Sequence, residues 1–152
     1  MDSRSPRALL DTPPVWLLVG IALAWAQARW LPLLPTPPVV QGAGIVVIVA
    51  AVVLFVLAAR EFRRHRTTIV PRETPEVLLT TGPYAFSRNP IYLADVAILS
   101  GAVLRWDLGS LPLVAVYVAI LTQRFIRGEE AGCAAAFGAD WQAYAARVRR
   151  WL

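Results

Sequence analysis

Residues 39–59 read VVQGAGIVVIVAAVVLFVLAA and are followed at once by Arg60. At about 1.5 Å per helical residue, a run of this length crosses a hydrocarbon core of about 30 Å. Before it, prolines 32, 35, 37 and 38 interrupt the chain in an uncharged loop, and a second apolar run occupies residues 15–34. Trp16 and Trp30 stand near its two ends, where interfacial aromatics belong. The two runs predict a helical hairpin. A signal peptide is the competing reading of the first run, because Arg4 and Arg7 precede it and Ala24-Trp25-Ala26 imitates a cleavage site. Against that, apolar residues continue well past the candidate cut.

On the other side of Arg60 the chain turns polar and basic up to Asn89, with prolines at 71, 75 and 83 excluding one uninterrupted helix. Residues 90–105 are apolar again, although the run Ile91 to Leu104 reaches a full hydrocarbon core only with its flanks. Arg105-Trp106-Asp107 with Gly109 predicts a tight turn, and residues 108–126 return as a fourth apolar segment. Beyond Gly128, Phe137, Trp141, Tyr144, Val148 and Trp151 recur at intervals of three or four, with Arg147, Arg149 and Arg150 off that stripe. This predicts an interfacial amphipathic helix over 128–152, with a bend or break at Gly138.

The expected architecture is therefore all-α. It is one integral membrane domain over residues 1–152, with spans at 15–34, 39–59, 90–105 and 108–126 as two hairpins, a cytoplasmic connection at 60–89 and a cytoplasmic helix at 128–152. Composition agrees: 152 residues, 57% hydrophobic and 16% charged, are too apolar for a soluble domain and too short for two domains. The net charge of +5 is carried by arginines set against apolar runs, which favours anionic lipid headgroups over nucleic acid as the partner. Of the 15 basic residues, all but Arg29 and Arg105 fall on one side of the proposed spans, which places both termini and the 60–89 connection in the cytoplasm. The inner (plasma) membrane of a bacterium is the expected location.

Several chemistries drop out. One cysteine, Cys133, excludes an internal disulfide, and one histidine, His65, leaves no metal cluster. There is no phosphate-binding P-loop, and Gly42-Ala43-Gly44 runs straight into an apolar helix instead of following a strand.

Two polar stretches remain: EVLLTTGPYAFSRNPIY over 76–92 and GEEAGCAAAFGADWQAYAARVRRW over 128–151. Gly82-Pro83 suits a tight turn, and Asn89-Pro90 suits a helix start. Glu129 and Glu130 suit a helix N-terminus, yet just beyond a membrane span they call for a partner, either Arg124 and Arg127 or a cationic ligand. Tyr84 and Tyr92 either face one pocket or anchor the interface. Asp95 is the acid set deepest in an apolar run, and either serves the function or pairs with an arginine.

Leu79-Thr80-Thr81-Gly82-Pro83-Tyr84, Ser87-Arg88-Asn89-Pro90-Ile91-Tyr92, Gly128-Glu129-Glu130, Phe137-Gly138 and the closing Tyr144 to Arg150 resemble, in order and spacing, the isoprenylcysteine carboxyl methyltransferase and phospholipid methyltransferase family. The similarity covers roughly the last eighty residues. The resemblance implies S-adenosylmethionine as methyl donor, bound without a Rossmann domain, and a hydrophobic or lipid-linked acceptor. It places cofactor contacts on Glu76, Val77, Leu78, Leu79, Tyr84, Asn89, Pro90, Ile91, Tyr92 and Glu130. It places catalytic roles on Glu130, Glu129 and an arginine near Arg127 or Arg124, although Phe125 and Ile126 occupy the nearest register positions. Where the family often has histidine this chain has Asn89, which donates and accepts hydrogen bonds but does not titrate near neutrality.

A sulfonium methyl is already activated, so alignment of the nucleophile and exclusion of water supply most of the acceleration. A carboxylate or thiolate acceptor needs no proton removed, whereas an ammonium does, which gives Glu129 or Glu130 a general-base role. Carboxyl O-methylation and lipid-amine N-methylation both stay open. The alternative of another class is a small membrane adaptor or structural protein whose arginines bind anionic lipid.

Overall fold

The structure, a computed structural model, describes residues 11–65 and 76–152. Five α-helices make up most of it: α1 Pro13–Trp30, α2 Pro38–Arg64, α3 Pro90–Trp106, α4 Leu111–Leu121 and α5 Arg127–Arg147. Helices α1, α2 and α3 each begin on a proline, which is pre-set for a first helical turn and leaves no N–H unpaired there. No β-sheet occurs among the described residues; one isolated bridge joins Pro35 and Asp107.

Two stretches, Pro38–Arg64 and Leu108–Arg147, are long and apolar enough to cross a membrane. The first carries its apolar residues outward, with Val39 85% and Val46 68% exposed. A helix apolar on all sides and bare on most of them matches a lipid surround rather than water.

The chain divides into two compact units, Met1–Ile48 with Val96–Ala119, and Val49–Asp95 with Ile120–Leu152. In the first unit the loop after α1 and the turn after α3 are tied by Asp107, which is 1% exposed. Its carboxylate accepts from the Leu34 N–H at 3.1 Å, the Gly109 N–H at 2.7 Å and Gln27 Nε2 at 3.3 Å. Burial alone would raise its pKa, but the N–H groups of Leu34 and Gly109, with Gln27 and Leu33, hold it below the usual carboxylate range. Here α2 and α3 also cross closely: a Cβ on Gly44 would lie 2.6 Å from the Gly101 carbonyl oxygen. Small residues permit that backbone approach.

In the second unit α2 runs past Arg60 to Arg64, carrying Glu61 beyond the apolar run. Helix α4 passes into α5 without a break, through a π turn at Thr122–Ile126. The start at Gly128 expected from sequence is thus absent, since neither a proline nor a side-chain cap interrupts the helix there. The kink falls at Gly138, as anticipated, with φ 50° and ψ −116°. That left-handed φ costs an L side chain about 1–2 kcal/mol and a glycine little. Helix α5 then ends at Arg147, and Val148 is extended.

Candidate functional site

The polar side chains singled out by sequence gather in the second unit around one turn, residues 81–92. Thr81 is extended and Gly82 adopts φ 58°, which starts a short 3₁₀ turn over Gly82–Ala85. A Cβ on Gly82 would lie 3.1 Å from the Glu61 carboxyl carbon. Glu61, buried at the end of α2, accepts from Thr81 Oγ1 at 2.5 Å and lies 3.6 Å from His65 Nε2 and 3.9 Å from Arg64 Nη1. The turn is thus pinned to the helix end by a carboxylate.

Tyr84 is buried against Ala58 and Leu79, with Phe62 and Ile91 packed around them. Its ring meets Phe62 edge-on at 5.8 Å, and its backbone carbonyl accepts from the Tyr144 hydroxyl at 2.7 Å. Burial, reinforced by Tyr144, Glu129 and Glu61, drives its pKa far above the ordinary phenol value, so it stays protonated.

Residues 87–89 hold the end of the chain. The Arg88 N–H donates to the Arg149 carbonyl at 2.9 Å, and Asn89 Nδ2 and Ser87 Oγ donate to the Arg150 carbonyl at 3.1 Å and 3.3 Å. This brings the Arg150 guanidinium onto Glu130, with Nη2 2.6 Å from Oε2 and Nε at 3.1–3.2 Å from both oxygens. Arg88 Nη2 reaches the same carboxylate at 3.2 Å, and its guanidinium lies 5.5 Å from the centre of the Trp141 ring. Hydrogen bonding to Glu130 raises the pKa of Arg150. Arg88 Nε is buried with no acceptor. Glu129 takes a different partner: the Tyr92 hydroxyl on α3 donates to its Oε1 at 2.7 Å.

A family model described as phospholipid methyltransferase matches residues 39–140. The chain belongs to that family. No curated protein and no solved structure matches it. The matched range takes in α2, the 81–92 turn, both glutamates and the Gly138 kink. Tyr144 and Arg150, which close on that turn, lie beyond the match. Membership, with two apolar helices of spanning length, makes this a membrane protein of a methyltransferase family.

The positions implied by the family resemblance fall into three groups. Asn89, Tyr92, Glu129 and Glu130 are joined in the polar cluster just described. Leu79 and Tyr84 lie in the core, where Ile91 packs on them, and Pro90 is buried at the start of α3. Glu76 and Val77 are exposed, Leu78 is half-buried, and Arg127 is exposed on the first turn of α5. The Arg127 side chain makes no hydrogen bond or ion pair among the described residues, while its backbone N–H donates to the Thr122 carbonyl.

The arginines facing Glu130 are therefore Arg88 and Arg150. Sequence reasoning nominated Arg124 and Arg127 for the pair Glu129 and Glu130 because they are near in the chain, and of these the Arg127 side chain pairs with neither among the described residues. It also missed Glu61, Thr81, Ser87 and Tyr144. Arg150 was hidden by its place on the polar side of an amphipathic stripe, and Glu61 by its place after the apolar run. The signal that points to Arg150 is the resemblance itself, which extends to the closing Tyr144 to Arg150.

Proposed function

We propose that this chain transfers a methyl group from S-adenosylmethionine to a membrane-associated or hydrophobic acceptor. In this reading four helices span the inner membrane of a bacterium as two hairpins, and the reaction takes place at the cytoplasmic face, where the arginine excess lies. When bound, S-adenosylmethionine supplies a methyl group already activated by its sulfonium.

The observation that carries the reading is the orphaned Arg88 Nε beside two consecutive glutamates. A buried guanidinium N–H without an acceptor is a site for an anionic ligand group, and the donor's amino-acid carboxylate fits it. Glu129 and Glu130 supply acceptors for its amino group and ribose hydroxyls, and Leu79 and Ile91 supply apolar surface. Asn89, bonded to the Arg150 carbonyl, acts by holding the end of the chain in place and not as a base. These residues bind and orient; the displacement needs alignment and a dry site.

Pairing of Glu130 with two arginines is also what a non-enzymatic adaptor would display. Family membership weighs against that second reading. Titration of S-adenosylhomocysteine into the purified protein in nanodiscs decides between them. Saturable heat, together with label appearing in lipid extracts given methyl-labelled donor, is the expected result. Neither signal, across several lipid compositions, would reject the enzyme.

A further inference from the structure

Arg88 keeps one donor free in a place where that is costly. Its side chain is 15% exposed, its Nη2 lies 3.2 Å from Glu130 Oε1, and its Nε is buried with no acceptor. A buried N–H left unpaired is destabilising, so other contacts must hold this guanidinium where it is. Glu130 does so only in part, because Arg150 shares the carboxylate, with Nη2 2.6 Å from Oε2.

The second contact is Trp141. The Arg88 guanidinium carbon lies over its ring, 5.5 Å from the centre, within the range at which a ring face attracts a cation. The ring is half-buried and itself braced: it meets the Tyr144 ring edge-on at 5.8 Å, and the Tyr144 hydroxyl donates to the Tyr84 carbonyl at 2.7 Å. Both rings stand on α5 beyond the Gly138 kink, three residues apart and so on one helix face. Trp141 is one residue past the range that the family model matches, so the match gives it no role.

That the partner is a ring has a chemical consequence. A carboxylate in the same place would neutralise Arg88 and also accept from its free N–H. A ring face balances part of the charge through its quadrupole and offers the N–H no lone pair. With one edge on Glu130 and one face on Trp141, the planar guanidinium has little freedom to turn, and the free N–H keeps one direction.

We propose that Trp141 is a positioning residue for the methyl donor: it holds Arg88 so that the free Nε–H meets the carboxylate of S-adenosylmethionine, which gives the site its preference for a donor that carries one. This rests on the methyltransferase reading above.

The test compares two ligands on the full chain in nanodiscs: S-adenosylhomocysteine and its decarboxylated analogue, which keeps the amino group, the thioether and the adenosine. Calorimetry of the wild type should show the carboxylate-bearing ligand bound more tightly. Trp141→Leu should weaken S-adenosylhomocysteine roughly 5- to 30-fold, the span of a cation–ring contact from exposed to desolvated, and leave the analogue within about 2-fold. Trp141→Phe should recover part of the loss, because a phenyl face attracts a cation less strongly than an indole face. With Arg88→Gln already present, Trp141→Leu should weaken neither ligand further. Equal loss for both ligands, no loss for either, or a further loss in the Arg88→Gln background overturns the assignment. Should Trp141→Leu fail to fold, Trp141→Phe against the wild type decides by the same comparison. A wild type that binds S-adenosylhomocysteine no more tightly than the analogue refutes the role of Trp141 only; one that binds neither refutes the methyltransferase reading as well.

Discussion

Replacing Glu130 by glutamine should cost stability as well as ligand affinity, and the structure sets the size. Its side chain is 13% exposed, that of Arg88 15% and that of Arg150 35%. An exposed ion pair contributes about 0.2–1 kcal/mol, whereas breaking a buried one costs about 3–5 kcal/mol. The Arg88 contact lies near the buried end of that range and the Arg150 contact nearer the exposed end. Glutamine keeps one acceptor oxygen but no charge, so two guanidinium groups are left facing each other. A loss of about 2 kcal/mol follows, which for a chain of this length lowers the unfolding temperature by about 4–8 °C. Tryptophan fluorescence during heating, on protein in detergent, measures it. The cycle with Arg150→Gln should give a coupling energy of about 1–2 kcal/mol. Effects that add to within about 0.5 kcal/mol would mean that the two side chains do not stabilise each other, and the reasoning fails.

Gly82→Ala places a methyl group against the Glu61 carboxyl at a left-handed φ, and should lower stability by about 1–2 kcal/mol or more in the same heating assay; an unchanged midpoint would contradict the turn geometry. Tyr144→Phe removes the donor to the Tyr84 carbonyl and should cost about 1–3 kcal/mol, because a buried carbonyl is left unpaired. Asp107 has a depressed folded-state pKa, so its contribution is present above the unfolded value of about 3.9 and is lost as pH falls through the folded value. Unfolding temperatures of the wild type and Asp107→Asn should accordingly differ at neutral pH and converge in acid; a gap independent of pH would remove the linkage.

The helices were legible because long apolar runs have few other readings, and the start of α3 because Asn89-Pro90 marks it; the prolines that open α1 and α2 were read as lying outside them. The extension of α2 past Arg60 was not, since charged residues at the end of an apolar run look like the end of the helix. The unbroken passage from α4 into α5 was hidden for the opposite reason: Gly128 resembles a stop, yet nothing crowds it. The order of the 79–92 and 128–130 motifs singled out segments that the structure brings together through Tyr92–Glu129 and Arg88–Glu130. Partner choice was beyond reach, because Glu130 is held by residues far from it in sequence or on the nominally solvated side of a helix.

The clasp between residues 87–89 and the carbonyls of Arg149 and Arg150 also sets an order of assembly. Twenty residues separate Glu130 from the guanidinium that neutralises it. At about 5–20 residues per second, the ribosome needs about 1–4 s to add them. During that interval the glutamate is already made while its counter-ion is not, so the Glu130–Arg150 pair forms only after the apolar helices that precede it have been laid down.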